Sequence, residues 1–161
     1  MPKTWALAPE VCFSEQRGLS IHTYSITTAT FQRRSIFLRT ANAELLIEVL
    51  FKYREQARFL IHGFALMPEH LHVLLTPGSA QTVERSAQLI KGGFSFEVRK
   101  QFSGEVWQQG FHEHRIRDSE DFNNQMEYIA KNPQQRHLEN YPYVHTNYLD
   151  RLDGMPAHLA P

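Results

Sequence analysis

Residues 59–76 hold two apolar runs, "FLIHGFALM" and "HLHVLLT", with only Pro68 and Glu69 between them. Each run has the length of a strand, and a two-residue break leaves no room for a crossover. The runs must therefore pair as an antiparallel hairpin. The remaining segments have to be arranged around that hairpin.

Upstream, "LSIHTYSITTATF" from Leu19 is rich in β-branched and aromatic residues and reads as a first strand. Residues 42–58 then place Leu46, Ile47, Leu50, Phe51 and Ala57 on one stripe at helical spacing, with Thr40 or Asn42 available as a cap. Downstream, "QTVERSAQLIKGGFSFEVRK" repeats the helical pattern through Val83, Ala87, Ile90, Phe94 and Val98. Gly92-Gly93 within it marks a weak point or a site of close approach. "GEVWQQGFHEHRIR" reads as a fourth strand bent at Gly110. Asp118-Ser119 opens a third helix, acidic in its first turn, that runs to about Lys131 and stops at Asn132-Pro133. The order β-α-β-β-α-β followed by a helix predicts an α+β, ferredoxin-like split βαβ fold. Its sheet is four-stranded and antiparallel with helices on one face, plus the C-terminal helix. Residues 1–161 read as a single domain, with an irregular segment over 1–18 and a tail over 134–161 that wraps the body without a core of its own.

Composition narrows the function. The 17 basic and 17 acidic residues cancel, which counts against coating nucleic acid by charge alone. The charge is unevenly placed, however: residues 1–117 carry 14 basic and 10 acidic side chains, and residues 118–161 carry 3 and 7. Clusters such as Arg33-Arg34 and Arg99-Lys100 can line a groove or be ordinary solvated charge. The lone Cys12 rules out an internal disulfide or a multi-cysteine zinc site. No apolar run approaches the ~18–20 residues of a membrane span, and the first 16 residues lack a signal-peptide core. A cytoplasmic protein is expected.

Side chains alternate along a strand, so His70 and His72 share one face while Leu71, Val73 and Leu75 take the other. Two adjacent imidazoles can close on a divalent cation, or they can be hydrogen-bonded histidines of a sheet surface. On the third helix, Phe122, Met126 and Ile129 form the apolar stripe, and Asn124, Tyr128 and Asn132 fall on a neighbouring polar face. Such a helix laid on the sheet can bring the Tyr128 hydroxyl and the Asn132 amide toward the histidine pair, with Asn132 as a third, oxygen ligand. Tyr128 can equally be a boundary residue, and Asn-Pro a helix stop. A second H-x-H, His112 and His114, reads as substrate-facing or structural, with metal binding the lesser alternative. Zinc-deaminase, HExxH, P-loop and GxSxG patterns are absent from the sequence.

Taken in order, "FALMPEHLHVLLTP", "LIKGGFSFEVRK", "VWQQGFHEHRIRD" and "MEYIAKNPQQRHL" resemble the single-tyrosine HUH transposases. The likeness is nearest to the REP-associated branch related to insertion-sequence enzymes and spans roughly residues 20–145. Asn132-Pro133 after "YIAK" is the pointer to that branch, where many insertion-sequence relatives carry Gln. The resemblance implies a ferredoxin-like nuclease domain acting on single-stranded DNA beside a hairpin. By position, His70 and His72 become the histidines of the HUH motif, Tyr128 the nucleophile and Asn132 the third metal ligand. Mg²⁺ is then the expected ion, with Mn²⁺ the alternative favoured by two nitrogen ligands. Attack by Tyr128 would leave a 5′-phosphotyrosine and a free 3′-hydroxyl.

The resemblance further implies phosphate contacts from Arg33, Arg34, Lys91, Arg99, Arg115 and Arg117, of which Lys91, Arg115 and Arg117 flank the matched motifs. A cytoplasmic, nucleoid-associated bacterial protein is expected, as monomer or homodimer. Two departures stand out. The chain is less basic than a DNA transposase is expected to be, and "PQQRHL" replaces the more familiar "PVRAGL"-type continuation. Two other readings stay open: a hairpin-binding protein on the same fold that does not cut, and a metal phosphodiesterase that uses water.

Overall fold

The computed structural model describes residues 21–138 and 141–161. The chain runs through strand β1 (Tyr24–Ala29), helix α1 (Thr40–Glu55), strands β2 (Phe59–Leu66) and β3 (His70–Pro77), helix α2 (Val83–Glu97), strand β4 (His112–Arg115) and helix α3 (Ser119–Gln135). The strands form one sheet in the order β2-β3-β1-β4, with every neighbouring pair antiparallel. This is the split βαβ arrangement expected from the element order. The expected irregular segment over 1–18, with Cys12, lies outside the described residues.

Alternation along the strands sorts the protein into two layers. Leu71, Val73 and Leu75 of β3, with Ile26 of β1 and Phe64 and Leu66 of β2, belong to the larger core. Leu46, Leu50 and Phe51 of α1 and Ile90 and Phe94 of α2 complete it. The other face carries Ala65, Leu74 and the two histidines. There α3 docks through Phe122 and Ile129 to form a second, smaller cluster. The tyrosine-bearing helix and the H-x-H motif therefore share a face, opposite α1 and α2.

Two glycines permit close approaches that these layers need. A Cβ on Gly63 would stand 2.6 Å from the Met126 sulfur, so its absence lets α3 settle onto β2. The pairing register of β2 shifts between Ile61 and Gly63 at the same place, which leaves His62 as the extra residue of a bulge. A Cβ on Gly93 would stand 2.8 Å from the Tyr53 ring, so the Gly92-Gly93 pair contains a true close contact between α1 and α2. Gly92 itself has open space around it.

The tail protects the sheet edge formed by β2. Leu66 N donates to the Tyr143 carbonyl at 2.8 Å, and Asp153 N donates to the Ile61 carbonyl at 2.7 Å. The Asp153 carboxylate accepts from Ile61 N at 2.9 Å and takes both forks of Arg54, each at 2.9 Å. Unpaired edge groups are thus covered. Within the tail, Val144 and Leu159 join the cluster under α3.

Four boundaries depart from the sequence reading. β1 begins at Tyr24 rather than Leu19. β4 is four residues long because the preceding stretch is drawn into a loop. The Lys91 ammonium donates to the Gln108 and Gly110 carbonyls, both at 2.8 Å, and Trp107 Nε1 donates to the Lys91 carbonyl at 3.0 Å. Neither Thr40 nor Asn42 caps α1: Arg39 holds the N-cap position without a side-chain bond, and Asn42 donates instead to the Ile36 carbonyl. Helix α3 passes through Pro133, which is buried, and ends two residues later. His137 then turns at φ 58, and Leu138 N donates to the Pro133 carbonyl. The expected start of α3 is as read, with Asp118 accepting from Asp121 N at 2.8 Å.

Candidate active site

His70 and His72 open β3, next to the β2–β3 turn, where Ala29 and Thr27 of β1 are their cross-strand partners. Both rings are buried, and their Nε2 atoms lie 3.0 Å apart with ring planes at 86°. Each Nδ1 has a separate partner: Thr27 Oγ1 at 2.8 Å for His72, and Glu69 Oε1 at 3.0 Å for His70. A carboxylate can only accept, so it fixes a proton on His70 Nδ1 and leaves Nε2 with a lone pair. Burial pushes the pKa of His72 down to about 4, reinforced by its neighbour His70. Burial also lowers that of His70, against the opposing pull of Glu69. Two neutral imidazoles with converging Nε2 atoms and occupied Nδ1 atoms suit a cation.

Helix α3 brings Tyr128 to this place and carries Asn132 one turn further on. The Tyr128 ring stands edge-on to His72, with centroids 5.9 Å apart, and is 48% exposed. Asn132 is buried at 6% exposure. The donor set of two imidazoles and one amide oxygen fits Mg²⁺ or Mn²⁺. Among the described residues there is no metal-ligating group of three or more His, Cys, Asp or Glu.

The six basic candidates fall in different places. Arg33 lies beside the histidines, 3.5 Å from Glu69. Lys91 and Arg99 line one cleft of about 640 Å³ together with Phe102 and Trp107. Lys91 is also the tether of the 104–111 loop, and burial lowers its pKa. Arg99 lies over the Phe96 ring at 3.9 Å. Arg34 lies over Phe31 and Phe102 and donates to the Glu105 carbonyl. Arg117 pairs with Asp121 at the start of α3. Arg115 is opposite Tyr24, which places it on the α1/α2 side of the sheet, away from the histidines.

The two histidines of the second H-x-H take different places. His114 Nε2 contacts both Asp121 oxygens, at 3.1 and 2.9 Å, which ties β4 to α3. His112 is exposed on the histidine face, in register with Thr27 and so with His72.

Sequence reasoning missed Glu69, Thr27 and Arg136. Glu69 is buried at 6% exposure and takes the Arg136 guanidinium as well as His70. Burial works to raise its pKa, but the hydrogen bonds from Arg136 and His70 outweigh this and hold it below the usual carboxylate range. A glutamate next to the H-x-H was visible in the sequence. Its distant partners Arg136 and Arg33 were not.

The family described as "Transposase IS200 like" matches residues 19–132. An Escherichia coli K12 protein, "REP-associated tyrosine transposase", is 29% identical over 116 residues, 66% of this chain and 63% of that protein. The chain therefore spans a little under two thirds of that relative. A Haemophilus influenzae Rd protein named only "Uncharacterized protein" is 25% identical over 142 residues, covering 68% of this chain and 79% of its own length. The fold is also that of a REP-associated tyrosine transposase solved on a REP hairpin. Its TM-score is 0.70 at 24% identity, over 92% of this chain and 88% of that one. A putative transposase from Deinococcus radiodurans R1 aligns with a TM-score of 0.54 at 19% identity, over 74% and 96%. With its family match running from the first strand to Asn132, through both histidines and Tyr128, this chain belongs to the IS200-like transposase family.

Proposed function

We propose that this protein cleaves and rejoins single-stranded DNA beside hairpins, with Tyr128 as nucleophile and a divalent cation held by His70, His72 and Asn132. The observation that carries the reading is the placement of Tyr128 edge-on to His72, beside a pair of converging Nε2 atoms. A bound divalent ion would supply charge neutralisation at a phosphodiester oxygen.

The chain's own residues do the rest. Tyr128 is half exposed on α3, so its oxygen can reach a phosphorus laid over the histidine face. Attack forms a bond from tyrosine oxygen to phosphorus and breaks the bond to the 3′-oxygen, and the proton released by the phenol balances the one taken up by the leaving 3′-hydroxyl. The phosphotyrosine keeps the bond energy for rejoining, so no ATP is needed. Arg33 offers a cation at the same edge, and the cleft with Lys91, Arg99 and Phe102 offers charge and aromatic surface to an unpaired segment. Hairpin DNA is the proposed substrate because a REP-associated transposase of this fold was solved on a REP hairpin.

The test is incubation with Mg²⁺ or Mn²⁺ and end-labelled single-stranded DNA carrying repeat hairpins. A metal-dependent covalent band, absent in Tyr128→Phe and His70→Ala, is expected. Hairpin binding without cleavage would favour a binding protein. Cleavage that survives Tyr128→Phe would favour a water-using phosphodiesterase.

A further inference from the structure

The Glu69 carboxylate is the junction of three separate parts of the chain. Its Oε1 accepts from His70 Nδ1 at 3.0 Å, from Arg136 Nη1, and from Arg33 Nη2 at 3.5 Å. Its backbone is fixed as well: the Glu69 carbonyl accepts from Thr30 N at 2.9 Å and from Thr30 Oγ1 at 3.1 Å. Thr30 also opens the turn that carries Arg33, whose φ of 50 is in the left-handed region. Arg136 is the C-cap of α3 and stands four residues after Asn132 and eight after Tyr128, on the same helical stripe. A buried carboxylate thus touches both a histidine of the pair and the end of the helix bearing the tyrosine.

We propose that Glu69 is a positioning residue: it sets the tautomer of His70 and, through Arg136, the register of the tyrosine helix over the histidine pair. The proposal rests on the reading of this site as a metal-assisted tyrosine nuclease. A surface ion pair would be held weakly and screened by salt, but this carboxylate is 6% exposed and has three donors on one oxygen. Tautomer control follows because the acceptor at Nδ1 leaves Nε2 as the lone-pair atom facing His72. Helix control follows because Arg136, at the end of α3, is bonded to Glu69 in the β2–β3 turn. Glu69 makes no contact with DNA in this proposal; it acts through its neighbours.

The experiment uses the full chain without metal, its histidine side chains read by long-range ¹H–¹⁵N spectra and its helix by amide hydrogen exchange. Mn²⁺ affinity is measured in parallel. In the wild type, His70 should carry its proton on Nδ1. Glu69→Ala should mix the His70 tautomers, speed exchange over residues 130–136, and weaken Mn²⁺ binding by about 10–100-fold. Glu69→Gln keeps an acceptor oxygen and should restore the tautomer while the α3 end still exchanges fast. Arg136→Met should speed that exchange with the tautomer unchanged. An unaltered His70 tautomer in Glu69→Ala, or unaltered exchange in all three variants, would overturn the proposal. A wild-type protein that binds no Mn²⁺ and forms no DNA adduct would reject the nuclease reading, while the tautomer and exchange results would still judge Glu69 by themselves.

Discussion

The Nε2 atoms of His70 and His72 face each other at 3.0 Å, while each ring is held from behind, by Glu69 on one side and Thr27 on the other. With His70 Nε2 left as an acceptor, His72 can donate to it from Nε2 while the Thr27 hydroxyl donates to His72 Nδ1. A divalent cation would take the place of that shared proton, with both Nε2 atoms as its ligands.

Metal binding should therefore need both rings. His70→Ala and His72→Ala are each expected to abolish Mn²⁺ binding measured by electron paramagnetic resonance. Thr27→Val keeps the ring but removes its orienting hydroxyl, and should weaken binding about tenfold. Full Mn²⁺ affinity in either alanine variant would place the ion elsewhere.

The tail should contribute to stability through one ion pair. Asp153 holds Arg54 by two bonds and also accepts from Ile61 N, all partly buried. Asp153→Ala leaves that backbone N–H and the guanidinium without their acceptor. It should cost about 2 kcal/mol in urea denaturation, against little change for Glu127→Ala, whose partner Lys131 is exposed.

Gly63 should be replaceable only by a very small side chain. The atom nearest to an added Cβ is the flexible Met126 thioether, which can swing aside for alanine. Valine would also press on His145, whose Nδ1 is 3.1 Å from the same position. Gly63→Val should destabilise by about 1–3 kcal/mol and lower adduct formation further by lifting α3. Calorimetry and the cleavage assay, run side by side, separate the two effects.

Acid should weaken the fold through buried histidines distant from the proposed metal. His62 bonds to Thr76 Oγ1 and the Asp153 carbonyl, and His145 to the Phe64 backbone. Burial lowers the pKa of both. The unfolded chain, with ordinary values near 6.5, takes up protons first, so stability is full above that pH and falls as pH drops below it. The urea midpoint should decline from pH 7 to pH 5, and the decline should be shallower in His62→Gln.

Much of this was written locally. The hairpin, the shared face of His70 and His72, and the stripe on α3 follow from periods of two and 3.6, which any reader of the chain can count. The placement of Tyr128 near His72 also follows, because Phe122 and Ile129 dictate which side of α3 meets the sheet. What local pattern misses is contact between distant residues. Glu69 and Arg136 are 67 positions apart, and nothing near Arg136 announces its partner. The shortening of β4 has the same origin, since Lys91 captures carbonyls 17 and 19 residues away. Pro133 misled for another reason: the rule that proline ends a helix describes local preference, and here the proline is buried within the helix.

The most direct measurement is the identity of the residue joined to DNA. The trapped adduct would be digested with trypsin and its peptides sequenced by mass spectrometry. Cleavage after Arg117 and Lys131 releases a peptide in which Tyr128 is the one tyrosine. A 5′-phosphodeoxynucleotide on Tyr128 is the predicted result. An adduct on any other residue, or cleaved DNA with no adducted peptide, would contradict a tyrosine nuclease built on this helix.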